Sequence, residues 1–238
     1  MEKTNNSSQG VIDHLEEMRK RIIFMLVGWI ILSIIGYCFA DRLLGYLIAP
    51  LQKYQDKPYF TRPVEPFMAI LKISIVSGAF LNIPNMLFQI WAFIEPALIT
   101  EKEKRSFALV IWGFPIFFSA GAMFAFYVLI PFGLKFLFSF SRKVMLPLIS
   151  IDSYINFILV FILALGVLFN LPVVASGFAS AGIINAGMLR GKRKYAILIS
   201  FIVAAVITPP DVVSQILVAI PLVLLYEISI LFCYIFRY

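Results

Sequence analysis

Two short segments of the sequence combine carboxylates with basic residues, and both could bind an arginine side chain of another molecule. The first is Glu16-Glu17-Met18-Arg19-Lys20-Arg21, and the second is Glu101-Lys102-Glu103-Lys104-Arg105. A carboxylate accepts two parallel hydrogen bonds from the planar guanidinium group, which makes it a natural partner for arginine.

The same charges could instead stabilise the helices that contain them. The pairs Glu16–Lys20 and Glu17–Arg21 have the i,i+4 spacing and the order that stabilise a helix. Each segment also has the spacing of an N-terminal capping box, formed by Asp13 with Glu16 and by Thr100 with Glu103. The two capping boxes place both segments at the starts of helices.

Catalytic chemistry has little support. His14 is the only histidine and lies outside the apolar runs, and neither an H-E-x-x-H nor a G-x-S-x-G motif is present. The glycines before Lys192 miss the spacing of a nucleotide-binding loop. Cys38 and Cys233 are far apart in apolar segments, so neither a disulfide framework nor metal-ligand spacing is evident. The sequence predicts a protein that is not an enzyme and needs no cofactor or metal.

Several polar side chains interrupt the apolar runs or stand at their ends: Lys72, Asn82, Glu95, Asn170, Asp211, Gln215 and Glu227. Such residues usually face the interior of a helix bundle or a wet cavity. Interhelical hydrogen bonds would explain the amides, and N-capping would explain Asp211. Glu95 is either paired or solvated near the membrane interface.

The elements that position these residues are membrane helices. With 61% hydrophobic and 14% charged residues, the chain is an integral membrane protein with little mass outside the bilayer. A disordered tail is expected over 1–12 and a single membrane domain over 13–238. The apolar segments within this domain are 22–40, 66–98, 107–130, 154–184, 195–207 and 212–236. The second and fourth are expected to be interrupted at Pro84 and Pro172, since proline frees a backbone carbonyl at each place.

The last two segments form a hairpin with an enforced turn. Pro209 and Pro210 cannot continue a helix, and both runs, Tyr195–Ile207 and Val212–Tyr226, are short for a bilayer. The first covers only about 20 Å of a hydrocarbon core of about 30 Å. A hairpin of this kind must thin the membrane or pack against longer helices.

Six crossings place both termini on one side of the membrane. That side carries twelve of the twenty basic residues: Lys3, Arg19, Lys20, Arg21, Lys102, Lys104, Arg105, Arg190, Lys192, Arg193, Lys194 and Arg237. The positive-inside rule therefore predicts that both termini are cytoplasmic. Because the basic residues lie between apolar runs, we expect no nucleic-acid partner.

Taken together, these segments resemble the TatC family, the polytopic receptor of twin-arginine protein translocation. The motifs occur in family order over most of the chain: His14-Leu15-x-Glu17-x-Arg19-x-Arg21, Ala49-Pro50-Leu51, Trp91-Ala92-Phe93-Ile94-Glu95-Pro96-Ala97-Leu98, Glu103-Lys104-Arg105, Phe124-Ala125-Phe126-Tyr127, and Thr208-Pro209-Pro210-Asp211-Val212-x-Ser214-Gln215 continuing to Pro221.

The resemblance implies an all-α, six-helix membrane fold with both termini inside, shaped as a concave tilted wall with short fifth and sixth helices. It implies a multi-pass protein of a bacterial-type cytoplasmic membrane, and transport driven by the proton motive force. It further implies an oligomeric complex with single-span TatA/TatB-type proteins, surrounded by membrane lipid.

The resemblance also assigns roles to residues. Glu17 and Glu103 would bind the arginine pair of a signal peptide of folded cargo, with Phe93 and Arg19 beside them; Glu101 is an alternative to Glu103. Asn170 stands where the family commonly has glutamate or glutamine, so it keeps a hydrogen-bonding role without a titratable group. Asn170, Gln215 and Asp211 would receive a partner helix, and Pro50, Glu95, Pro209 and Pro210 would be structural.

Two other functions compete with this interpretation. A secondary transporter of a small solute or ion would use Glu95, Lys72 and Glu227, but the sequence has no internal repeat. A scaffold or insertase-like protein would need only the short hairpin, and it would leave the glutamates unexplained.

Overall fold

The apolar runs fold as helices, since a chain in hydrocarbon must satisfy its backbone hydrogen bonds within each segment. The structure is a computed structural model that describes residues 2–55, 57–97, 101–139, 148–180, 182–208 and 211–235, with backbone only for 2–13, 97, 101–103, 105, 106 and 109. Within these ranges the α-helices are α1 Glu2–Cys38, α2 Ala40–Ile48, α3 Glu65–Ile94, α4 Glu101–Phe124, α5 Ile130–Ser139, α6 Ile151–Leu168, α7 Leu171–Ser180, α8 Ala186–Gly191, α9 Arg193–Ile207 and α10 Val212–Ile235.

In the described part of the chain, five helical stretches are long and apolar enough to cross a membrane: His14–Cys38, Glu65–Ile94, Val110–Ser139, Ile151–Ser180 and Val212–Ile235. The third joins α4 to α5 through a π-helical turn, Ala125–Leu129. The predicted all-α membrane class is confirmed. The sixth predicted crossing is α9, whose 15 residues cover about 22 Å. The count of six crossings stays a prediction.

The bounds predicted for the sixth segment, 212–236, agree with α10, but this helix is longer than the short run Val212–Tyr226 that the sequence suggested. α10 runs for 24 residues, which is about 36 Å. Of the two helices in the hairpin, therefore, only α9, the predicted fifth crossing, is short. Glu227 lies inside α10 rather than interrupting it, because its carboxylate accepts a hydrogen bond from Arg193 Nη2 at 2.7 Å. Pro209 and Pro210, the predicted turn, lie outside the described residues.

Two helix boundaries also differ from the prediction. α1 begins at Glu2 rather than at Asp13, because extending a formed helix costs much less than nucleating one. α3 continues through Pro84; proline removes one backbone donor there, a loss that membrane helices tolerate when neighbouring groups satisfy the freed carbonyl. The predicted break before Pro172 is present, since α6 ends at Leu168 and α7 begins at Leu171.

Close backbone approach joins α1 to α3. A β-carbon at Gly78 would collide with the backbone of Ser33, and one at Gly28 would lie 2.8 Å from Asn82 Oδ1. The buried Asn82 side chain donates from Nδ2 to the Met25 carbonyl oxygen at 2.9 Å. Asn82 therefore has the interhelical hydrogen bond that its position predicts, and it fixes α1 along the length of α3.

The buried core is centred on α6, whose Ile155, Ile158 and Leu165 are fully buried and cluster with residues of α3, α5 and α10. At the start of α6, Asp152 accepts a hydrogen bond from Lys72 Nζ of α3 at 2.6 Å. The backbone N–H of Ile151 also donates to the Tyr59 carbonyl at 2.9 Å. These contacts join α6 to α3 and to the loop before α3, at the end of the bundle opposite the start of α4.

Candidate functional site

The first carboxylate segment lies against the end of α3. Arg21 donates to Glu17 Oε1 from Nε at 3.0 Å and from Nη2 at 2.6 Å. This is the i,i+4 pair that the sequence predicts. The other acceptors of Arg21 are on α3. We use the name Glu17 cluster for Glu17, Arg21, the two residues of α3 that accept from Arg21, and the adjacent phenylalanine of α3: Glu17, Arg21, Gln89, Ala92 and Phe93.

Arg21 connects the two helices of the Glu17 cluster. Its Nη2 donates to the Ala92 carbonyl oxygen at 3.0 Å and its Nη1 to Gln89 Oε1 at 3.4 Å. The ring of Phe93 meets the His14 ring edge-on, with centroids 5.7 Å apart. Glu17 and Phe93, predicted to act together, are thus on helices that contact each other at the same end.

The start of α4 is adjacent to this end of α3. Trp91 of α3 and Phe107 of α4 stack with centroids 5.8 Å apart and an interplanar angle of 26°. α4 begins at Glu101, directly after Thr100, the predicted cap that lies outside the described residues. Glu103 is in the first turn of α4 and precedes Phe107 by four residues. The side chains of Glu101 and Glu103 are outside the described part of the structure.

Arg19 and Glu95 are at the edge of the Glu17 cluster. Arg19 is 68% exposed and its Nη2 lies 3.5 Å from Glu16 Oε1, so its ion-pair partner is Glu16. Glu95 is exposed in a short 3-10 turn that ends α3, and its backbone N–H bonds the Trp91 carbonyl. Exposure of this carboxylate agrees with solvation at an interface.

The predicted partner-helix residues lie elsewhere in the fold. Asn170, 1% exposed, donates from Nδ2 to the Gly166 carbonyl at 2.8 Å. Gln215 donates from Nε2 to the Phe201 carbonyl at 3.1 Å, which links α9 to α10. Asp211 Oδ1 accepts from the Ser214 N–H at 2.7 Å, the predicted N-cap. Two buried oxygens are left without a hydrogen-bond partner among the described residues, Asn170 Oδ1 and Asp211 Oδ2.

The charges invoked for a secondary transporter do not converge. Lys72 pairs with Asp152 at one end of α3, whereas Glu95 follows the other end of that helix. Glu227 pairs with Arg193 at the α9–α10 hairpin. Within the described ranges, no group of three His, Cys, Asp or Glu side chains could hold a metal ion. Pro50 directly precedes the 3-10 turn Leu51–Lys53 in the loop after α2.

Sequence reasoning missed the role of Arg21 between helices. It interpreted the Glu17–Arg21 pair as a local helix contact, whereas the guanidinium also reaches a carbonyl 71 positions away. Gln89 was missed altogether. One signal was available for Arg21: Pro96 follows Ala92 by four residues and cannot bond its carbonyl, which leaves an acceptor open at this end of α3.

Comparisons with known proteins agree over nearly the whole chain. Residues 13–221 match the family model described as Sec-independent protein translocase protein (TatC). The TatC protein of Aquifex aeolicus is 40% identical over 222 residues, which is 92% of each chain. The TatC protein of Carboxydothermus hydrogenoformans is 42% identical over 92% of this chain and 90% of its own length.

Solved structures give the same match. A crystal structure of the twin-arginine translocase receptor TatC superposes with a TM-score of 0.80 at 39% identity, covering 94% of this chain and 99% of that one. A second crystal structure of that receptor, in the detergent DDM, superposes with a TM-score of 0.81. The similarity in sequence therefore extends to the arrangement of the helices.

Proposed function

The chain belongs to the TatC family of Sec-independent protein translocase proteins, and from that premise we propose that Glu17 and Glu103 bind the arginine pair of twin-arginine signal peptides. At the level of the family, it is the receptor subunit of the twin-arginine translocase, a non-enzymatic component of a membrane translocase complex. The proposal concerns which residues bind the signal peptide and how they do so.

The observation that carries the proposal is the position of Glu17 in the Glu17 cluster. The Glu17 side chain is 39% exposed at the end of α3, and both short bonds from Arg21 go to Oε1. Among the residues whose side chains the structure describes, the only basic nitrogen within 4 Å of Oε2 is His14 Nδ1, at 3.8 Å. An incoming guanidinium can therefore reach Oε2 without removing Arg21.

Glu103 is proposed to supply the second carboxylate. Residues four apart lie on the same face of a helix, and Phe107, four residues after Glu103, contacts α3 through Trp91. This supports a position for Glu103 toward the Glu17 cluster. Glu101 stays the alternative. Two carboxylates at one end of the bundle would bind two consecutive arginines, with Phe93 as an apolar contact between them and Arg19 at the rim.

Binding of a twin-arginine peptide, compared with a twin-lysine control, tests the proposal. Guanidinium forms paired hydrogen bonds with a carboxylate, whereas an ammonium group acts as a point charge. We expect the purified chain in lipid nanodiscs to bind the arginine peptide at least about tenfold more tightly, which corresponds to about 1.4 kcal/mol. Equal affinity for both peptides would contradict a site built for arginine.

The proposed orientation places the Glu17 cluster and both termini in the cytoplasm of a bacterial-type inner membrane. It is supported by the excess of Lys and Arg beside helix ends on that side, including Arg19, Lys20, Arg193 and Lys194. A signal peptide made in the cytoplasm would then meet Glu17 before any membrane crossing.

We further propose that single-span TatA/TatB-type partners dock beside the short helix α9. The Gln215 side chain is half-buried, and its amide oxygen has no donor among the described residues. That oxygen is the group that a polar residue of a partner helix would bind. Asp211 caps α10 next to it, and Asn170, buried within the bundle, would act by holding the α6–α7 break in place.

A further inference from the structure

We infer that Arg21 is a positioning residue of the signal-peptide site: it holds the Glu17 carboxylate against the end of α3 with Oε2 free for the guanidinium of the ligand. The inference rests on the proposed function of Glu17 and adds to it the residue that presents the carboxylate. The guanidinium group of Arg21 binds one carboxylate oxygen of Glu17 and leaves the other oxygen for the signal peptide.

The acceptor for Arg21 on α3 is created by Pro96. In a continuing helix the Ala92 carbonyl would bond the N–H of residue 96, but proline has no N–H. The N–H of Glu95 is already bonded to the Trp91 carbonyl. Arg21 Nη2 supplies the missing donor at 3.0 Å, and a cation is favourable at this helix C-terminus. The end of α3 is thus built to bind a guanidinium from α1.

The contacts of Arg21 fix its orientation. Nε, Nη1 and Nη2 all donate, to acceptors on two helices. Arg21 is 22% exposed, whereas Arg19 and Lys20 on the same helix are 68% and 71% exposed. Of the three basic side chains in this segment, Arg21 is the one that packs between α1 and α3. Its position is set by α3 as much as by α1.

This arrangement prepares Glu17 for binding. A glutamate on an isolated helix surface has many rotamers, and fixing them on binding reduces affinity. Because Arg21 bonds Oε1 twice, the carboxylate is held before the ligand arrives, and Oε2 is the oxygen that stays open. A lysine at position 21 would keep the charge but could not bridge Glu17, Gln89 and the Ala92 carbonyl in the same way.

A double-mutant cycle on Glu17 and Arg21 tests the inference. The measurement is the affinity of the full chain in nanodiscs for a fluorescent twin-arginine peptide, with Lys20→Gln as a control that removes the same charge one residue away. We expect Arg21→Gln to weaken binding about tenfold and the Glu17→Gln, Arg21→Gln double variant to bind no more weakly than Glu17→Gln, since contacting residues are coupled. Arg21→Lys should not restore affinity, and Lys20→Gln should bind like the wild type.

A second variant keeps the test decisive if Arg21→Gln does not fold. Pro96→Ala restores the N–H that can bond the Ala92 carbonyl, so it competes with Arg21 while leaving every charge in place. It should weaken peptide binding about threefold, a smaller coupling than that of Arg21 itself.

Three results would overturn the inference. They are unchanged or tighter binding by Arg21→Gln or Arg21→Lys, unchanged binding by Pro96→Ala, and an Arg21→Gln loss that adds fully to the Glu17→Gln loss. Failure of the proposed function would look different, because Glu17→Gln itself would then bind the peptide like the wild type.

Discussion

Exchanging Glu17 and Glu103 together for glutamine is expected to abolish measurable binding of a twin-arginine signal peptide and, with it, export of a folded reporter protein. Glutamine keeps the size of the side chain but removes the charge. A hydrogen bond to a charged group contributes about 1.5–3 kcal/mol, so the loss of two carboxylates should lower affinity about 100-fold or more. Peptide titration and reporter export measure the two effects separately.

The control for this variant uses carboxylates at the other end of the bundle. Asp41 of α2 is exposed, and the carboxylate of Glu65 at the start of α3 accepts hydrogen bonds, among the described residues, from Thr61 only. The variant Asp41→Asn with Glu65→Gln likewise removes two negative charges, and it should leave peptide affinity unchanged. If Glu17→Gln with Glu103→Gln also binds like the wild type, the assignment of these carboxylates is wrong. If only Glu17→Gln with Glu101→Gln loses binding, Glu101 is the second carboxylate.

Lengthening α9 by two apolar turns is expected to stop transport while leaving signal-peptide binding intact. α9 has 15 residues and covers about 22 Å, and two turns would bring it to about 33 Å, an ordinary span. The insertion would remove local thinning of the bilayer and shift the surface beside Gln215. The Glu17 cluster lies on α1 and α3 and should be unaffected. Reporter export should fall at least about tenfold, and a single-span partner should no longer copurify.

The control for the insertion keeps the length of α9 and changes its surface. Ile202 and Val206 are exposed on α9, and exchanging both for leucine preserves length and apolar character, so export should continue. Undiminished export by the lengthened variant would mean that the short helix is incidental to function. Loss of peptide binding in the same variant would mean that the receptor end depends on α9, contrary to the separation proposed above.

The sequence predicted the helices better than their ends. The apolar runs identified each long helix, and Pro172 identified the break between α6 and α7, because local backbone chemistry decides both. The predicted sixth segment, 212–236, agrees with α10. Its apolar run was nevertheless expected to be short because Glu227 was interpreted as an interruption, and the partner of Glu227, Arg193, comes from the preceding helix. A residue that looks like an interruption in one segment can be paired by another.

The same limit applies to the candidate site. The Glu17–Arg21 spacing predicted the ion pair, and the resemblance to TatC identified Glu17 and Phe93 as neighbours in function. Pro96 indicates an open acceptor at Ala92, but the sequence could not indicate that Arg21 is the donor that reaches it and Gln89, because that contact depends on how α1 packs against α3. The packing in turn depends on close approach at Gly28 and Gly78, for which sequence spacing has no simple signal.

Photocrosslinking from α1 tests the central claim most directly, namely that the signal peptide binds at the Glu17 cluster. A photoreactive residue at Met18, which is 41% exposed beside Glu17, is compared with one at Tyr46 of α2, which is 74% exposed. We expect a twin-arginine peptide to crosslink at Met18 and not at Tyr46, and a twin-lysine peptide to crosslink at neither. Equal crosslinking of both peptides at Met18, or crosslinking of the arginine peptide at Tyr46 alone, would contradict the account.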